Sequence, residues 1–352
     1  MSSCPGRELS ANLDLLRAVA VLLVFFSHVY RAHHDYSFAS LGIFGVVLFF
    51  IHTSFVLMAS LHRLESSARS SVQLALAFWT RRFFRIYPLA ILCIILVIAF
   101  RIPVNPGEAY NWIGMKGILS NLALIQNLTN CDDLQGVLWS LPVEVQMYII
   151  LPFAYFALRG DNRYRSLALW ALALLLAFAA MPLALHYSLM SFRRNVFIFA
   201  PCFTAGIVAF DLTRNKTYKR RLPAWMWPVC IFTAIALFGP RSGANFLFLL
   251  LRAWGLSLFL AFLFANVKEG QPNWMHNIFH WIAEHSYGIY LSHSIVLWIV
   301  FYQMAQFSLW VQIPALIAGA IGIPALLYVS IEKPLILAGG HLARRLLSQD
   351  VG

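Results

Sequence analysis

The sequence predicts an all-α, polytopic membrane protein. Of its 352 residues, 61% are hydrophobic and 11% are charged, whereas soluble domains carry roughly 25% charge. Such a chain has too little polar surface to cover itself in water. Apolar runs of bilayer length recur from end to end, which predicts one membrane domain over 1–352 and no separate soluble domain. The basic residues gather between those runs, so the net charge of +12 reflects membrane topology rather than nucleic-acid binding.

Ten spanning helices are expected, taken here in order. The first, 13–32, is an apolar run that carries Arg17 and is too long for a cleavable signal peptide, so it is read as retained. The second, 41–61, contains the stretch Val46 to Phe50. The third, 86–100, is short and follows Arg81, Arg82 and Arg85. A further apolar stretch, 113–128, is expected at or dipping into the outer interface. The fourth, 137–157, opens on Trp139-Ser140-Leu141-Pro142-Val143-Glu144. The fifth and sixth, 166–184 and 196–212, lie between basic loops. The seventh and eighth, 223–239 and 243–266, are apolar except for Arg252. The ninth, 286–304, begins at His285-Ser286-Tyr287. The tenth, 309–330, is closed by Glu332-Lys333-Pro334, a charged pair before a proline that reads as a helix stop.

With the N-terminus inside, loops holding Arg63, Arg81, Arg159, Arg214, Arg221 and Arg344 face the cytoplasm. They then carry about three times as many basic residues as the opposite side, where Arg31, Arg101, Lys116, Arg193, Arg194 and Arg241 fall. Both termini are therefore expected in the cytoplasm. The cysteines (Cys4, Cys93, Cys131, Cys202, Cys230) are scattered and odd in number, which fits neither a disulfide framework nor a metal site.

Arg17 and His28 stand eleven positions apart in the first run. Three helical turns bring them to within about 20° of one face, separated by about 16 Å along the axis. A cation and an imidazole on one face of a membrane helix are costly unless used. The alternatives are an arginine snorkelling at a helix end and a histidine satisfied by a neighbour.

Three further constellations stand out. Arg81, Arg82 and Arg85 crowd the expected start of the third helix. The helix dipole there suits either a polyphosphate or anionic lipid. Glu144 lies about seven residues into its helix, at a depth like that of His28, so the two are expected to meet as a His–carboxylate pair or a structural hydrogen bond. Ser286, Tyr290 and His293 follow i, i+4, i+7 and form one polar stripe, which lines a cavity or bonds helix to helix. Arg193 and Arg194 are placed to meet a polyanionic acceptor on the outer side, and Asn127-Leu128-Thr129 matches a glycosylation triplet without value in a bacterial setting.

In this order, these segments resemble acyltransferase family 3, the bacterial membrane-bound O-acyltransferases. The matching pieces are Arg17 through His28, Val46 to Phe50, Arg81 to Pro88, Trp139 to Tyr148, Ser286 to His293, and Glu332 to Pro334. They span almost the whole chain. The resemblance implies ten helices in the bacterial inner membrane. It implies transfer of an acyl group, usually acetyl, from cytoplasmic acyl-coenzyme A to a hydroxyl of a glycan or related acceptor. His28, Glu144 and Arg17 then match the catalytic group, and Arg81, Arg82 and Arg85 the basic cluster that faces the donor. Ser286 and Tyr290 are expected along the path of its pantetheine arm. His28, oriented by Glu144, is expected to act as general base, the alternative being an acyl-histidine relay. No metal, resident cofactor or nucleic-acid partner is expected. The chain is expected to be a stand-alone form without an extracytoplasmic esterase-like domain. A secondary transporter or flippase is the other class, but its usual paired halves with broken helices are not found. One departure is visible. The family's Ser-Gly after the aromatic pair of the second helix is Thr53-Ser54 here, beside an unusual His52.

Overall fold

In this computed structural model the described residues are 10–33, 35–104, 109–160, 164–187, 195–214, 221–239, 246–271 and 273–348. Arg193 and Arg194 lie outside them, as does Cys4. Every regular element is helical, and a single isolated bridge, Leu222 to Val267, is the one β-pairing among the described residues. The helices are α1 (Ala11–Ala32), α2 (Ala39–Glu65), α3 (Ser71–Ala99), α4 (Gly114–Leu122), α5 (Ser140–Ala157), α6 (Tyr164–Tyr187) and α7 (Val196–Arg214). They continue as α8 (Met226–Phe238), α9 (Phe246–Asn266), α10 (Trp274–Trp298), α11 (Leu309–Leu327) and α12 (Lys333–Ser348). Two π-helical turns, Ile299–Gln303 and Tyr328–Glu332, follow α10 and α11.

Eight helical stretches among the described residues are long and apolar enough to cross a membrane, the last running Leu309–Ser348 through α11 and α12. The expected spans at 223–239 and 286–304 correspond to α8, an apolar helix of 13 residues, and to the 25-residue α10. The chain is thus an all-α polytopic membrane protein.

Three boundaries differ from expectation, each for a physical reason. Helix α3 begins at Ser71, well before the expected residue 86. Ser70 caps it by accepting from the Gln73 N–H at 3.2 Å, and Leu74, Ala77 and Phe78 bury one face. The arginine cluster therefore sits inside the helix, about 15 Å beyond its first turn, and not at its dipole-bearing start. Helix α10 begins at Trp274, capped by Asn273 Oδ1, which accepts from the His276 N–H at 2.8 Å. Ser286 is therefore mid-helix. Glu332-Lys333-Pro334 does not stop the chain. The π-turn delivers it directly into α12, where Pro334 occupies the first turn and needs no N–H partner.

Helix α1 packs on α2 and α10, α2 on α7, α7 on α6 and α9, α10 on α11, and α12 on α3. Aromatic stacks fill the centre, with Phe50 on Phe203 at 4.3 Å and Phe44 on Phe238 at 4.5 Å between centroids. Close backbone approach is as important, because lipid supplies no hydrophobic drive between helices. A Cβ at Gly45 would sit 2.6 Å from the Ala20 carbonyl oxygen, which fixes how near α2 lies to α1. The outer faces of α11 and α12 stay apolar and exposed, as at Ile317, Ile321 and Leu326, which suits contact with acyl chains.

Candidate active site

Helices α1 and α10 run in the same direction, and polar side chains join them at three levels. His280 Nδ1 meets Asp14 Oδ2 at 2.8 Å near the start of both helices. Arg17 Nε donates to Ser286 Oγ at 2.6 Å, and Ser286 donates onward to the Ala283 carbonyl. Near the far end, His28 Nδ1 lies 3.3 Å from His293 Nε2. Arg17 and His28 do share a face of α1, and that face is turned to α10.

A small, partly open cavity of about 50 Å³ lies beside the middle level. Arg17, Glu144, Ser286, Tyr287, Tyr290 and Thr53 line it, with Phe49 and Phe50 as its apolar wall. Tyr290 spans from this cavity towards the histidine level, its ring 6.1 Å from that of His293. Its hydroxyl is fully used, donating to the Val137 carbonyl at 2.8 Å and bonding Ser140 Oγ at 2.7 Å, so it can shape the cavity but has no proton to spare. The polar stripe at 286, 290 and 293 thus joins α10 to α1 and to the start of α5.

Glu144 accepts from the Tyr148 hydroxyl one turn on, and its charged neighbours are Arg17, Arg82 and Arg85. The expected His28–Glu144 pair is absent from the hydrogen bonds of the described residues. His28 bonds the Val24 carbonyl at 2.9 Å and faces His293. The reason is packing. Helix α5 lies mainly against α2, α3 and α7, which sets Glu144 level with Arg17 rather than with His28.

The arginines divide by depth. Arg85 Nη1 pairs with Glu332 Oε2 at 2.9 Å and lies 5.7 Å from the Tyr287 ring centre. Arg82 lies over Phe78 at 6.0 Å. Arg81, nearer the start of α3, has Arg63 and Arg344 as its charged neighbours. Arg17, Arg82 and Arg85 with Glu144, Glu332 and its neighbour Glu284 make a six-charge cluster in the bundle, three of each sign.

For two members of this neighbourhood the sequence names the residue but not the partner that places it here. Glu332 is 2% exposed and bonded to Arg85. Its signal, an acidic residue in a short charged run, was visible but read as a helix stop. His293 is 1% exposed. Its stripe was legible, but its partner on α1 was not, since spacing within one helix says nothing of what another presents. His52 is buried on α2 away from the cavity wall. No cluster suited to a metal ion occurs among the described residues.

Comparison with known proteins adds the following. The sequence model of a family described as "Acyltransferase domain" matches residues 10–329. Peptidoglycan O-acetyltransferase OatA of Listeria monocytogenes is 29% identical over 157 residues, which is 42% of this chain and 24% of that protein. The chain therefore aligns with about a quarter of that relative's length. Nodulation protein 10 of Rhizobium leguminosarum bv. viciae is 25% identical over 379 residues, 96% of each chain. No solved structure gives a significant match.

Proposed function

The chain belongs to this acyltransferase family, and from that premise we propose that it carries an acyl group, acetyl by default, from cytoplasmic acyl-coenzyme A to a hydroxyl of a glycan or related cell-envelope acceptor at the bacterial inner membrane. The observation that carries this reading is the cavity lined by Arg17, Glu144, Ser286 and Tyr290, with a histidine level beyond it and an arginine cluster before it. A thioester donor needs phosphate contacts at one end, a narrow apolar passage for its arm, and a base where the acyl group emerges. An arginine cluster, a cavity and a histidine pair follow one another along the bundle, which supports the reading.

Arg81, with Arg63 and Arg344 beside it, meets the phosphates of the donor at the cytoplasmic end. The pantetheine arm passes Ser286 and Tyr290, with Arg82 and Arg85 holding the charge balance around it. The acceptor oxygen attacks the thioester carbonyl as His28 Nε2 takes its proton. Arg17, bonded to Ser286 and about 16 Å back along α1 from His28, faces the donor's arm rather than this carbonyl oxygen. The carbon–sulfur bond then breaks, and the departing thiolate recovers the proton from His28. A positioned base of this kind contributes roughly 10²–10⁴-fold. Glu144 works through the charge of the arginines rather than on the imidazole. The name of the Listeria relative brings peptidoglycan forward among the acceptors to assay.

The test is incorporation of label. Proteoliposomes or membranes holding the full chain, given radiolabelled acetyl-coenzyme A and an envelope glycan fraction, are expected to yield base-labile label on glycan. The His28→Ala protein, expressed and folded, is expected to yield none. Turnover by that variant would overturn the assignment.

A further inference from the structure

Resting on that reading, we infer that His293 is the positioning residue of the reaction: its Nε2 accepts the Nδ1–H of His28 and holds that imidazole in the tautomer whose Nε2 is a lone pair. The geometry leaves one consistent arrangement of protons. A backbone carbonyl can only accept. His28 Nδ1 lies 2.9 Å from the Val24 carbonyl oxygen, one turn back, so Nδ1 carries the hydrogen. His293 Nδ1 lies 3.1 Å from the Ile289 carbonyl oxygen in the same relation, so it too is protonated at Nδ1 and its Nε2 is bare. The 3.3 Å approach of His293 Nε2 to His28 Nδ1 therefore has a donor on the α1 side and an acceptor on the α10 side.

The consequence for His28 is specific. Its Nδ1–H is shared between Val24 and His293, and its Nε2 makes no hydrogen bond among the described residues. That nitrogen is the one left to take a proton. When it does, His28 becomes a cation, and His293 Nε2 accepts from a charged donor. The bond strengthens as the transition state forms, which is the condition for acceleration. The two rings lie 5.0 Å apart, flanked by Phe25, 6.1 Å from His293, and by Tyr290. With His293 at 1% exposure, bulk water does not compete for its nitrogen.

The experiment compares His293→Leu, His293→Asn, His293→Gln and His28→Ala in the full chain, reconstituted and assayed with radiolabelled acetyl-coenzyme A and envelope glycan. Leu fills space but cannot accept. Gln carries an amide oxygen on a stem long enough to reach His28 Nδ1, and Asn carries the same amide on a shorter one. The expected result is a roughly 10²-fold fall in kcat for His293→Leu with KM for acetyl-coenzyme A changed less than about 2-fold. Recovery of about 10-fold or more is expected in His293→Gln but not in His293→Asn. The Gln–Asn contrast decides the matter where the Leu protein does not fold. Equal rates in the folded Gln and Asn proteins, or a fall carried by KM rather than kcat, would overturn the role of His293. Wild-type kcat in His293→Leu with an inactive His28→Ala would overturn it while leaving the transferase reading intact. An active His28→Ala would instead overturn His28 as the base, and a wild-type chain that puts no label on glycan would overturn the transferase reading beneath it.

Discussion

A carboxylate 2% exposed in a membrane bundle needs a reason to stay there. For Glu332 the reason is Arg85, 2.9 Å away, with Arg17 also nearby. Taking both ions out of water costs several kcal/mol each, and their attraction returns most of it only while both are present. Removing one partner strands the other, at a typical cost of about 3–5 kcal/mol, whereas replacing both by apolar groups is often neutral. Glu332→Ala is therefore expected to lower the thermal midpoint in detergent by several degrees and to abolish transfer. The double variant Arg85→Leu with Glu332→Met is expected to regain the midpoint and remain inactive, because the donor's charge balance is gone. A double variant that regained both would make the pair a structural tie only. An unchanged midpoint in the single variant would mean that the pair contributes nothing to stability.

At the level of the helix, legibility followed the polar residues. Helices α1 and α2 were readable to within a few residues because their apolar runs are nearly unbroken. Helices α3 and α10 start some twelve to fifteen residues before the expected point. Their first halves hold Arg81 to Arg85 and His276 to His285, which read as loop because interior polar partners are invisible in one sequence. The caps Ser70 and Asn273 were the local signals that would have found both starts. The substitution of Thr53-Ser54 for Ser-Gly is resolved in the same terms. The close approach has not been lost: the glycine stands on the facing helix. Gly206 of α7 lies against the Ile51 carbonyl and the Ser54 hydroxyl of α2, with no room for a Cβ. Ser54 in turn satisfies itself on the Phe50 and Ile51 carbonyls at 2.9 and 3.1 Å. Gly206→Ala is expected to part α2 from α7 at a cost of about 1–3 kcal/mol, read as a lower thermal midpoint. Adding Ser54→Gly is expected to recover part of that loss and not all, since the Ile51 backbone remains. Full stability in Gly206→Ala would show that the approach is not tight.

For the molecule as a whole, one fact governs the chemistry: which way the shared direction of α1 and α10 points across the bilayer. Their starts lie at the end where Arg63, Arg81 and Arg344 gather, and His28 and His293 lie towards the other. A donor from the cytoplasm and an acceptor from outside require the histidine end to face out. The connection after α3 and α4, which holds Cys131, then faces out as well. Cys131 is partly exposed and donates to the Thr129 carbonyl at 3.7 Å, and the side chains of Thr129 and Ser120, with Lys116 nearby, hold its thiol below the usual cysteine range. A lowered value means more thiolate at neutral pH and faster alkylation. Cys93 and Cys202 are buried and Cys230 lies within α8. In intact spheroplasts, a membrane-impermeant maleimide is therefore expected to label the protein, at a rate that levels off at lower pH than for an ordinary thiol, and Cys131→Ser is expected to remove that label. Labelling of Cys131 only after permeabilisation would turn the molecule over. The arginine end would then face away from the acyl-coenzyme A pool, and the route from arginines through the cavity to His28 would run in the wrong direction for the transfer described above.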